Sequence, residues 1–282
     1  MPASTPIDHL FRLDGQVAIV TGGAGRLGTE YVLALAAAGA AVAACDLAAA
    51  PSGRVQEAID RGGAISFHSA DVSRREAVDA LIAEIERRRG TPTVLVNNAG
   101  LGSSPADAAL ETGRFEDYPE RAWRAMLDSH LTTALAASQA FIAAFRRGRA
   151  ARPELAGSII NVSSTYGVVS PDQSLYEFHR RDGSEYFKPV GYSVAKSGVL
   201  NFTRWLAEYC APLGIRVNTL VPGGVREPEH TAEFVAEYSR RTPLGRMARE
   251  DDYNGAVLFL ASNASAYMTG ATLVVDGGWT AR

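Results

Sequence analysis

The chain has 282 residues, of which 46% are hydrophobic and 21% charged, a balance typical of soluble globular proteins. Its 28 Lys and Arg against 31 Asp and Glu leave a net charge of −3, which argues against a nucleic-acid or anionic-membrane surface. The most apolar stretch, residues 31–45, is interrupted by Gly39 and is too short for a membrane span.

The first half of the chain opens with a strand, a glycine-rich turn and a helix. Residues 16–20 form an apolar run typical of a buried strand, the turn 21–28 follows, and residues 29–38 have a helical pattern. Backbone amides at such a helix start can approach a pyrophosphate, and the helix dipole favours the anion. The alternative is a turn that is glycine-rich for steric reasons only.

The next predicted strands are residues 41–45, 65–70 and 93–96, with a helix over 74–89. Asp46 stands at the end of the second strand, about 20 residues after the glycines, where an acid hydrogen-bonds a ribose 2′-OH and repels a 2′-phosphate. We therefore expect NAD(H), with NADP(H) disfavoured, unless Asp46 only caps a loop.

The second half continues the alternation of helices and strands. The predicted elements are helix 119–145, strand 157–162, helix 191–211, strand 215–221, helix 250–261 and strand 271–275. Such alternation predicts parallel βαβ units with a ligand at the carboxyl ends of the strands. The expected fold is one doubly wound α/β domain over residues 1–282, with about seven parallel strands and helices on both faces.

Tyr192 and Lys196 are four residues apart in a helical pattern, so both side chains lie on one helix face. A phenol can give or take a proton, and a neighbouring ammonium lowers its pKa from about 10. Of the 28 basic residues only Lys188 and Lys196 are lysines, so a chain that otherwise uses Arg has kept a compact point charge here. The alternative is a solvated helix face.

Over about residues 15–279 the chain resembles the short-chain dehydrogenase/reductase family. The matching segments, in the family's order, are Thr21-Gly22…Gly28, Asp71-Val72, Asn97-Asn98-Ala99-Gly100, Ser163-Ser164, Tyr192-x-x-x-Lys196, Pro222-Gly223 and Asp276-Gly277-Gly278-Trp279. The resemblance implies a Rossmann-type domain, usually a homotetramer, that interconverts alcohols and carbonyls with a nicotinamide cofactor.

The resemblance also implies roles for individual residues. Tyr192 is the expected general acid/base, Lys196 lowers its pKa and hydrogen-bonds the nicotinamide ribose, and Ser164 holds the substrate oxygen unless it is only a turn hydroxyl. The implied cofactor contacts are, besides Tyr192 and Lys196, residues Gly22, Arg26, Leu27, Gly28, Asp46, Asp71, Val72, Asn98, Ala99, Gly100, Pro222, Gly223 and Val225.

Two single residues depart from the family pattern. Arg26 replaces the second glycine of the turn, and it either donates a charge-assisted hydrogen bond to the diphosphate or points to solvent. His130 stands where the family usually has an Asn that holds a water in a proton relay. His130 can hold a water, relay a proton itself near neutral pH, or be only a packed helix residue.

A third departure is an insertion, since 27 residues separate Ser164 from Tyr192, roughly twice the family's usual stretch. The added part, about residues 170–189, contains Tyr176, Phe178, His179, Arg180, Arg181, Tyr186, Phe187 and Lys188. Aromatic rings with cations suit a polyhydroxylated or anionic substrate, although a surface or subunit-contact loop is the alternative. Residues 225–243, the family's substrate loop, are polar and unlike the wide apolar flap that a steroid or long acyl chain requires.

The sequence therefore predicts an NAD-dependent dehydrogenase for a small polar alcohol such as a sugar, a polyol or a sugar derivative. The runner-up is a 3-oxoacyl-thioester reductase using NADPH, which shares the same Ser, Tyr and Lys. A sensor with a spent dehydrogenase fold would have a broken catalytic set, whereas this set is intact. The two cysteines lack metal spacing and fit buried thiols of a reducing compartment, and residues 1–15 show no signal peptide, so we expect a cytoplasmic protein without a metal.

Overall fold

The computed structural model describes residues 6–102, 112–177 and 186–281. Within them one sheet has the strand order β3-β2-β1-β4-β5-β6-β7, and every neighbouring pair is parallel. The strands are β1 (Val17–Thr21), β2 (Ala41–Asp46), β3 (Ile65–Ser69), β4 (Val94–Asn97), β5 (Gly157–Val162), β6 (Ile215–Pro222) and β7 (Thr272–Val275). The predicted seven-stranded parallel sheet is confirmed.

Helices cover both faces of the sheet, as the sequence predicts. They are α1 (Ile7–Leu10), α2 (Arg26–Ala37), α3 (Gly53–Asp60), α4 (Arg75–Arg89), α5 (Glu120–Leu127), α6 (Thr133–Ala151), α7 (Thr165–Val168), α8 (Val190–Cys210), α9 (Ala232–Arg241) and α10 (Asn254–Ala261). One core cluster contains side chains of α4, α6 and α8, and the other contains side chains of α2, α3 and α10. This is the doubly wound, Rossmann-type arrangement.

The strands are apolar because a parallel sheet is covered on both faces. β1 and β5 are buried at every position. Phe141 and Phe145 of α6 stack at 6.1 Å between ring centroids and are fully buried in one core. Gly157 starts β5 against this pair, since a Cβ there would come 2.9 Å from the Phe145 ring. Close packing of this kind fixes the sheet on which the site is built.

Strand order reverses between β1 and β4, and this topological switch point opens a crevice at the carboxyl ends of the strands. The motif residues lie just beyond the carboxyl ends of three neighbouring strands: Gly22 after β1, Asn98 after β4 and Ser164 after β5. The fold thus brings segments far apart in the sequence to one edge of the sheet.

Two segments differ from the sequence-based expectation. The long helix predicted over 119–145 is interrupted by a π-helical turn, Asp128–Thr132, and its last part continues to Ala151. The polar segment 225–243 contains α9, whose N-cap Thr231 accepts a hydrogen bond from the Phe234 amide at 3.2 Å.

Both cysteines are buried and unpaired, as expected. Across the described residues, no helix has the length and apolar character needed to cross a membrane.

Candidate active site

The glycine-rich turn after β1 is packed so tightly that side chains are excluded at Gly22 and Gly28. Gly22 has a φ of +67°, and a Cβ there would come 3.0 Å from the Asn98 amide nitrogen and from the Ala99 Cα. A Cβ on Gly28 would overlap the Gly22 carbonyl. The Asn98 side chain donates to the carbonyls of Thr21 and Gly22 at 3.1 and 3.2 Å, and so ties the end of β4 to the turn.

The turn delivers the chain into α2 with its first amides available for a ligand. Gly25 is the N-cap and has no side chain with which to cap these amides. A cavity of about 890 Å³ opens in front of them and is lined by the predicted cofactor residues Gly22, Arg26, Leu27, Gly28, Asp46, Asp71, Val72, Asn98, Ala99, Gly100, Tyr192, Lys196, Pro222, Gly223 and Val225. An open helix N-terminus beside a side-chain-free turn fits the diphosphate of a dinucleotide.

Asp46 ends β2 at the rim of this cavity. Its carboxylate accepts hydrogen bonds from the amides of Ala24 and Ala48, both at 3.0 Å, so it is held between the glycine-rich turn and the next loop. The position, after the second strand, matches the ribose-binding acid of dinucleotide folds.

Asp71 and Val72 line the same cavity beyond β3. Asp71 accepts hydrogen bonds from the amide and hydroxyl of Ser73 at 3.0 and 2.6 Å, and these bonds lower the pKa of the Asp71 carboxyl. Val72 is buried in the core.

Arg26 lies in an environment that neither sequence-based alternative anticipated. Its guanidinium approaches the carboxylates of Glu227, Glu229 and Glu250 at 4.0, 3.7 and 3.7 Å. The side chain is 30% exposed and lines the cavity, and its Nη1 is buried without a hydrogen-bond partner in the described residues. Arg26 therefore faces the cleft and its acidic rim while remaining partly exposed, and both alternatives, a hydrogen bond to the diphosphate and a solvent-facing side chain, stay predictions.

Lys196 lies in α8 and is buried against the end of β5. Its Nζ donates to the Val162 carbonyl at 3.0 Å, and the Ser163 hydroxyl donates to the Lys196 carbonyl at 2.7 Å. The Nζ lies 5.8 Å from the centroid of the Tyr192 ring, as the spacing on one helix face predicts. Burial lowers the pKa of Lys196 to about 8.

Ser164 follows β5 and caps the short helix α7, where its hydroxyl accepts from the Tyr166 amide at 3.2 Å. The side chain is buried, and it lines the same cavity as Tyr192 and Lys196. A hydroxyl, a phenol and an ammonium therefore line one cavity, which is a set suited to proton transfer at an oxygen.

His130 lies in the π-helical turn, and π turns often occur at functional sites. Its ring meets Tyr192 edge-on with centroids 5.5 Å apart, and both ring nitrogens are buried without hydrogen-bond partners in the described residues. Burial, assisted by the nearby Lys196 ammonium, lowers the pKa of His130 to about 2. The imidazole is therefore neutral near pH 7, which argues against its titrating there in a proton relay.

Gly100 packs directly on the His130 ring, because a Cβ at Gly100 would overlap Nδ1 and Cε1. The loop after β4 thus holds the imidazole in place. The contact between Gly100 and His130 joins the lining of the cofactor cleft to the π turn.

The substrate side of the cleft has aromatic walls, of which the sequence interpretation named Tyr176 and missed Phe234 and Tyr238. Phe234 and Tyr238 of α9 are buried and line the cavity with Tyr166, Tyr176 and Met247. The Tyr238 hydroxyl accepts from the Gly224 amide at 2.8 Å, and its ring stacks on Trp279 at 4.2 Å. The polar composition of 225–243 describes the outer face of this segment, while its inner face is apolar. The i, i+4 spacing of Phe234 and Tyr238 was the available signal.

The turn after β6 is fixed by two tyrosines. The Tyr253 hydroxyl donates to the Gly223 carbonyl at 2.9 Å, and the Tyr238 hydroxyl accepts from the amide of the next residue, Gly224. Val225 then forms a single bridge with Ala248. Pro222, Gly223 and Val225 are thereby held at the cavity.

The described part of the insertion packs against this wall. Tyr176 contacts Tyr186 and Phe234 at ring-centroid distances of 4.7 and 5.8 Å. Asp172 pairs with Arg241 of α9 at 3.2 Å. Of the predicted contact residues, Phe178, His179, Arg180 and Arg181 lie outside the described residues. The insertion therefore contributes at least Tyr176 and Lys188 to the cleft.

Over residues 6–102, 112–177 and 186–281, no three or more His, Cys, Asp or Glu side chains come together as metal ligands.

A family model and curated relatives match nearly the whole chain. Residues 23–280 match the family model described as enoyl-(acyl carrier protein) reductase. Galactitol 2-dehydrogenase of Rhizobium johnstonii is 33% identical over 275 residues, which cover 96% of this chain and 97% of that protein. Cis-4-hydroxycyclohexanecarboxylate dehydrogenase of Sinomonas cyclohexanicum is 34% identical over 270 residues, covering 94% and 97%.

Among solved structures, a gluconate 5-dehydrogenase from Burkholderia cenocepacia in complex with NADP and tartrate superposes with a TM-score of 0.81. It is 29% identical, and the match covers 98% of this chain and 99% of that one.

The chain belongs to the short-chain dehydrogenase/reductase family. It is an alcohol dehydrogenase or ketoreductase of that family, and its fold is one that binds NAD(P).

Proposed function

We propose that this protein interconverts a secondary alcohol and a ketone on a small polar substrate, a sugar, a polyol or a sugar derivative, with NAD as the cofactor. The observation that carries the proposal is that Ser164, Tyr192 and Lys196 line one cavity with the glycine-rich turn and Asp46. The chain acts as one catalytic unit, because the nucleotide and substrate walls both arise from a single sheet.

The bound nicotinamide supplies the hydride acceptor or donor, and the protein supplies the geometry and a proton route. Tyr192 takes the hydroxyl proton when the alcohol is oxidised and returns it when the ketone is reduced. Ser164 holds the reacting oxygen, and the Lys196 ammonium favours the phenolate. The buried walls around Tyr166 and Phe234 exclude water from the reacting carbon.

His130 replaces the family's Asn. We propose that its imidazole binds a water molecule next to Tyr192. A neutral imidazole offers one donor and one acceptor, so it can hold a water without being charged. Two observations support this role: both ring nitrogens are buried without a hydrogen-bond partner in the described residues, and the centroids of the His130 and Tyr192 rings are 5.5 Å apart.

NAD is preferred over NADP because the Asp46 carboxylate, fixed at the end of β2, repels a 2′-phosphate. The NADP-bound Burkholderia structure shows that the wider family also takes the phosphorylated cofactor. Arg26 does not offset Asp46 in this arrangement, since three carboxylates already surround its guanidinium.

The substrate class follows from the cleft and from the names of relatives. The curated and solved relatives named above act on galactitol, a hydroxycyclohexanecarboxylate and gluconate, all of which carry secondary alcohols. A 3-oxoacyl-thioester reductase using NADPH is the alternative, and the family model's description belongs to acyl-carrier-protein chemistry.

We also propose a cytoplasmic homotetramer. The buried free thiols fit a reducing compartment, and α6 and α8 present exposed apolar residues for self-association.

The test is NADH formation, followed by near-ultraviolet absorbance, with NAD⁺ and NADP⁺ in parallel over sugars, polyols, aldonates and hydroxyacyl esters. We expect turnover of a polar alcohol with NAD⁺, and a loss of roughly 10²- to 10⁴-fold in Tyr192→Phe with cofactor binding retained. Full turnover by Tyr192→Phe would overturn the catalytic assignment, and turnover confined to NADP⁺ and acyl esters would establish the alternative.

A further inference from the structure

Lys188 is one of only two lysines in the chain, and its side chain enters the substrate side of the cleft. Its Nζ lies 5.6 Å from the ring centroids of Tyr166 and Tyr192 and 5.9 Å from that of Tyr176. Three phenol rings at this distance form a cation cage, because each ring face attracts the ammonium.

The backbone at Lys188 is also fixed. Its amide donates to the Gln173 side chain at 2.9 Å, and α8 begins two residues later at Val190. Lys188 therefore lies just before the N-terminus of the helix that holds Tyr192. The fold fixes the position of its ammonium relative to the Tyr192 phenol.

Glu227 is the acidic residue whose attraction favours the charged form of Lys188, but burial is the larger effect and lowers the pKa of Lys188 to about 7. Glu227 also approaches Arg26 at 4.0 Å and His230 at 3.8 Å. One carboxylate is thus shared among several cationic or ionisable groups. An ammonium removed from water is stabilised by an anion brought beside it.

We propose that Lys188 binds a carboxylate of the substrate, so that the alcohol oxidised here is a small hydroxy acid. This inference rests on the proposed function, because it assigns the substrate class of the same site. The hydroxyl of such a substrate meets Tyr192 and Ser164, its carboxylate meets the caged ammonium, and its carbon skeleton lies against Tyr176 and Phe234.

Matched pairs of probes test the assignment, each pair differing in a carboxylate. One pair is gluconate and glucitol, and the other is 4-hydroxycyclohexanecarboxylate and 4-(hydroxymethyl)cyclohexanol. We expect the wild-type kcat/KM to be higher for the acid of at least one pair. In Lys188→Met the ratio of acid to neutral kcat/KM falls by roughly 10- to 100-fold, the usual effect of losing one hydrogen bond to a charged group. Lys188→Arg restores part of the ratio.

The control is Arg240→Gln, which removes one positive charge from an exposed position of α9 that pairs with Glu237. Its acid-to-neutral ratio is expected to equal that of the wild type. An equal fall in Arg240→Gln would mean that overall charge, and not Lys188, favours the acid, and would overturn the proposal.

The proposal and the proposed function fail in different ways. If the wild type oxidises neutral polyols as well as acids, and Lys188→Met leaves the ratio unchanged, the carboxylate site is refuted while the dehydrogenase stands. If no alcohol is oxidised, the carboxylate site is tested by the binding of tartrate in the presence of NADH, measured by thermal shift. A shift lost in Lys188→Met supports the site, and an undiminished shift overturns it.

Discussion

Asp46 accepts hydrogen bonds from the amides of Ala24 and Ala48 at the rim of the nucleotide cavity, and the proposed function assigns to its charge the preference for NAD. Asp46→Asn separates these effects, because the amide keeps an acceptor oxygen and loses the charge. We expect the ratio of kcat/KM for NAD⁺ over NADP⁺ to fall by roughly 10-fold or more, about the effect of removing one close charge repulsion. The ratio comes from initial rates with both cofactors, and an unchanged ratio would mean that Asp46 acts only as a loop cap.

His130 is expected to act by binding a water molecule. The catalytic rate should therefore depend on its ring nitrogens and not on a positive charge. His130→Leu keeps an apolar bulk and removes both nitrogens. We expect kcat to fall roughly 10-fold, less than for loss of a direct acid/base group. In His130→Asn, which restores a polar group, we expect kcat near the wild-type value. Wild-type kcat in His130→Leu would show that the residue only packs.

The same substitution changes how stability depends on pH. Because burial lowers the folded-state pKa of His130 to about 2 from 6.5, the unfolded chain binds a proton that the folded chain does not between these values. Stability is therefore lost as pH falls below about 6.5, by at most about 1.4 kcal/mol per pH unit from this residue. We expect chemical denaturation between pH 7 and pH 5 to show a smaller loss in His130→Leu. Parallel losses in both proteins would refute the buried neutral imidazole.

At the scale of elements, the join between β1 and α2 depends on glycines that admit no side chain. Gly28→Ala places a methyl group on the Gly22 carbonyl, so we expect about 1–3 kcal/mol of destabilisation and at least 10-fold weaker NADH binding. Gly53→Ala is the control, because a Cβ there meets open space at the start of α3, and we expect it to be neutral or stabilising by up to about 1 kcal/mol. Similar unfolding and NADH titrations for the two variants would contradict this.

The sheet was readily predicted because buried parallel strands are continuous apolar runs. Residues 157–162 were predicted at the bounds that β5 has. Residues 225–243 were harder, since α9 shows solvent mostly charged side chains and buries only two aromatic residues of ten. The π turn at 128–132 has no local signal, because it follows from packing against Gly100 and α8 and not from composition.

The candidate site divides in the same way. Asn98 was implied by the family resemblance, whereas the glycine-rich turn with Gly22 could be predicted from its position between a strand and a helix. Contacts made across the fold could not, and the proximity of Arg26 to Glu227 and Glu250 is one example. Lys188 is intermediate, because the sequence named it among the aromatic and cationic residues of the insertion, but only the structure places its ammonium among three phenol rings.

At the scale of the whole molecule, α6 and α8 carry exposed apolar residues next to each other. Trp205 is 64% exposed and stacks on Tyr209, which in turn accepts a hydrogen bond from Arg146 of α6 at 3.2 Å. Leu135 and Val194 are exposed on the same two helices. Such a surface suits burial against a second copy of the chain.

We therefore expect Trp205→Glu to shift the proposed tetramer to smaller species in mass photometry, because a carboxylate is costly in an apolar interface. Ile7→Glu is the control, since Ile7 is 75% exposed on α1, away from these helices in the sequence. A tetramer that persists in Trp205→Glu would exclude this surface as the contact.

Both lysines of the protein lie in one cleft, and this has a practical consequence for handling it. On most proteins amine-reactive dyes and resins modify dozens of surface lysines, whereas here the lysine amines report on the active site alone. Burial lowers the pKa of Lys188 to about 7, so a larger fraction of this amine is unprotonated at neutral pH than of an exposed lysine. Acylating reagents are thus expected to inactivate the protein in step with labelling of its lysines, and surface immobilisation is better done through an engineered tag than through these amines.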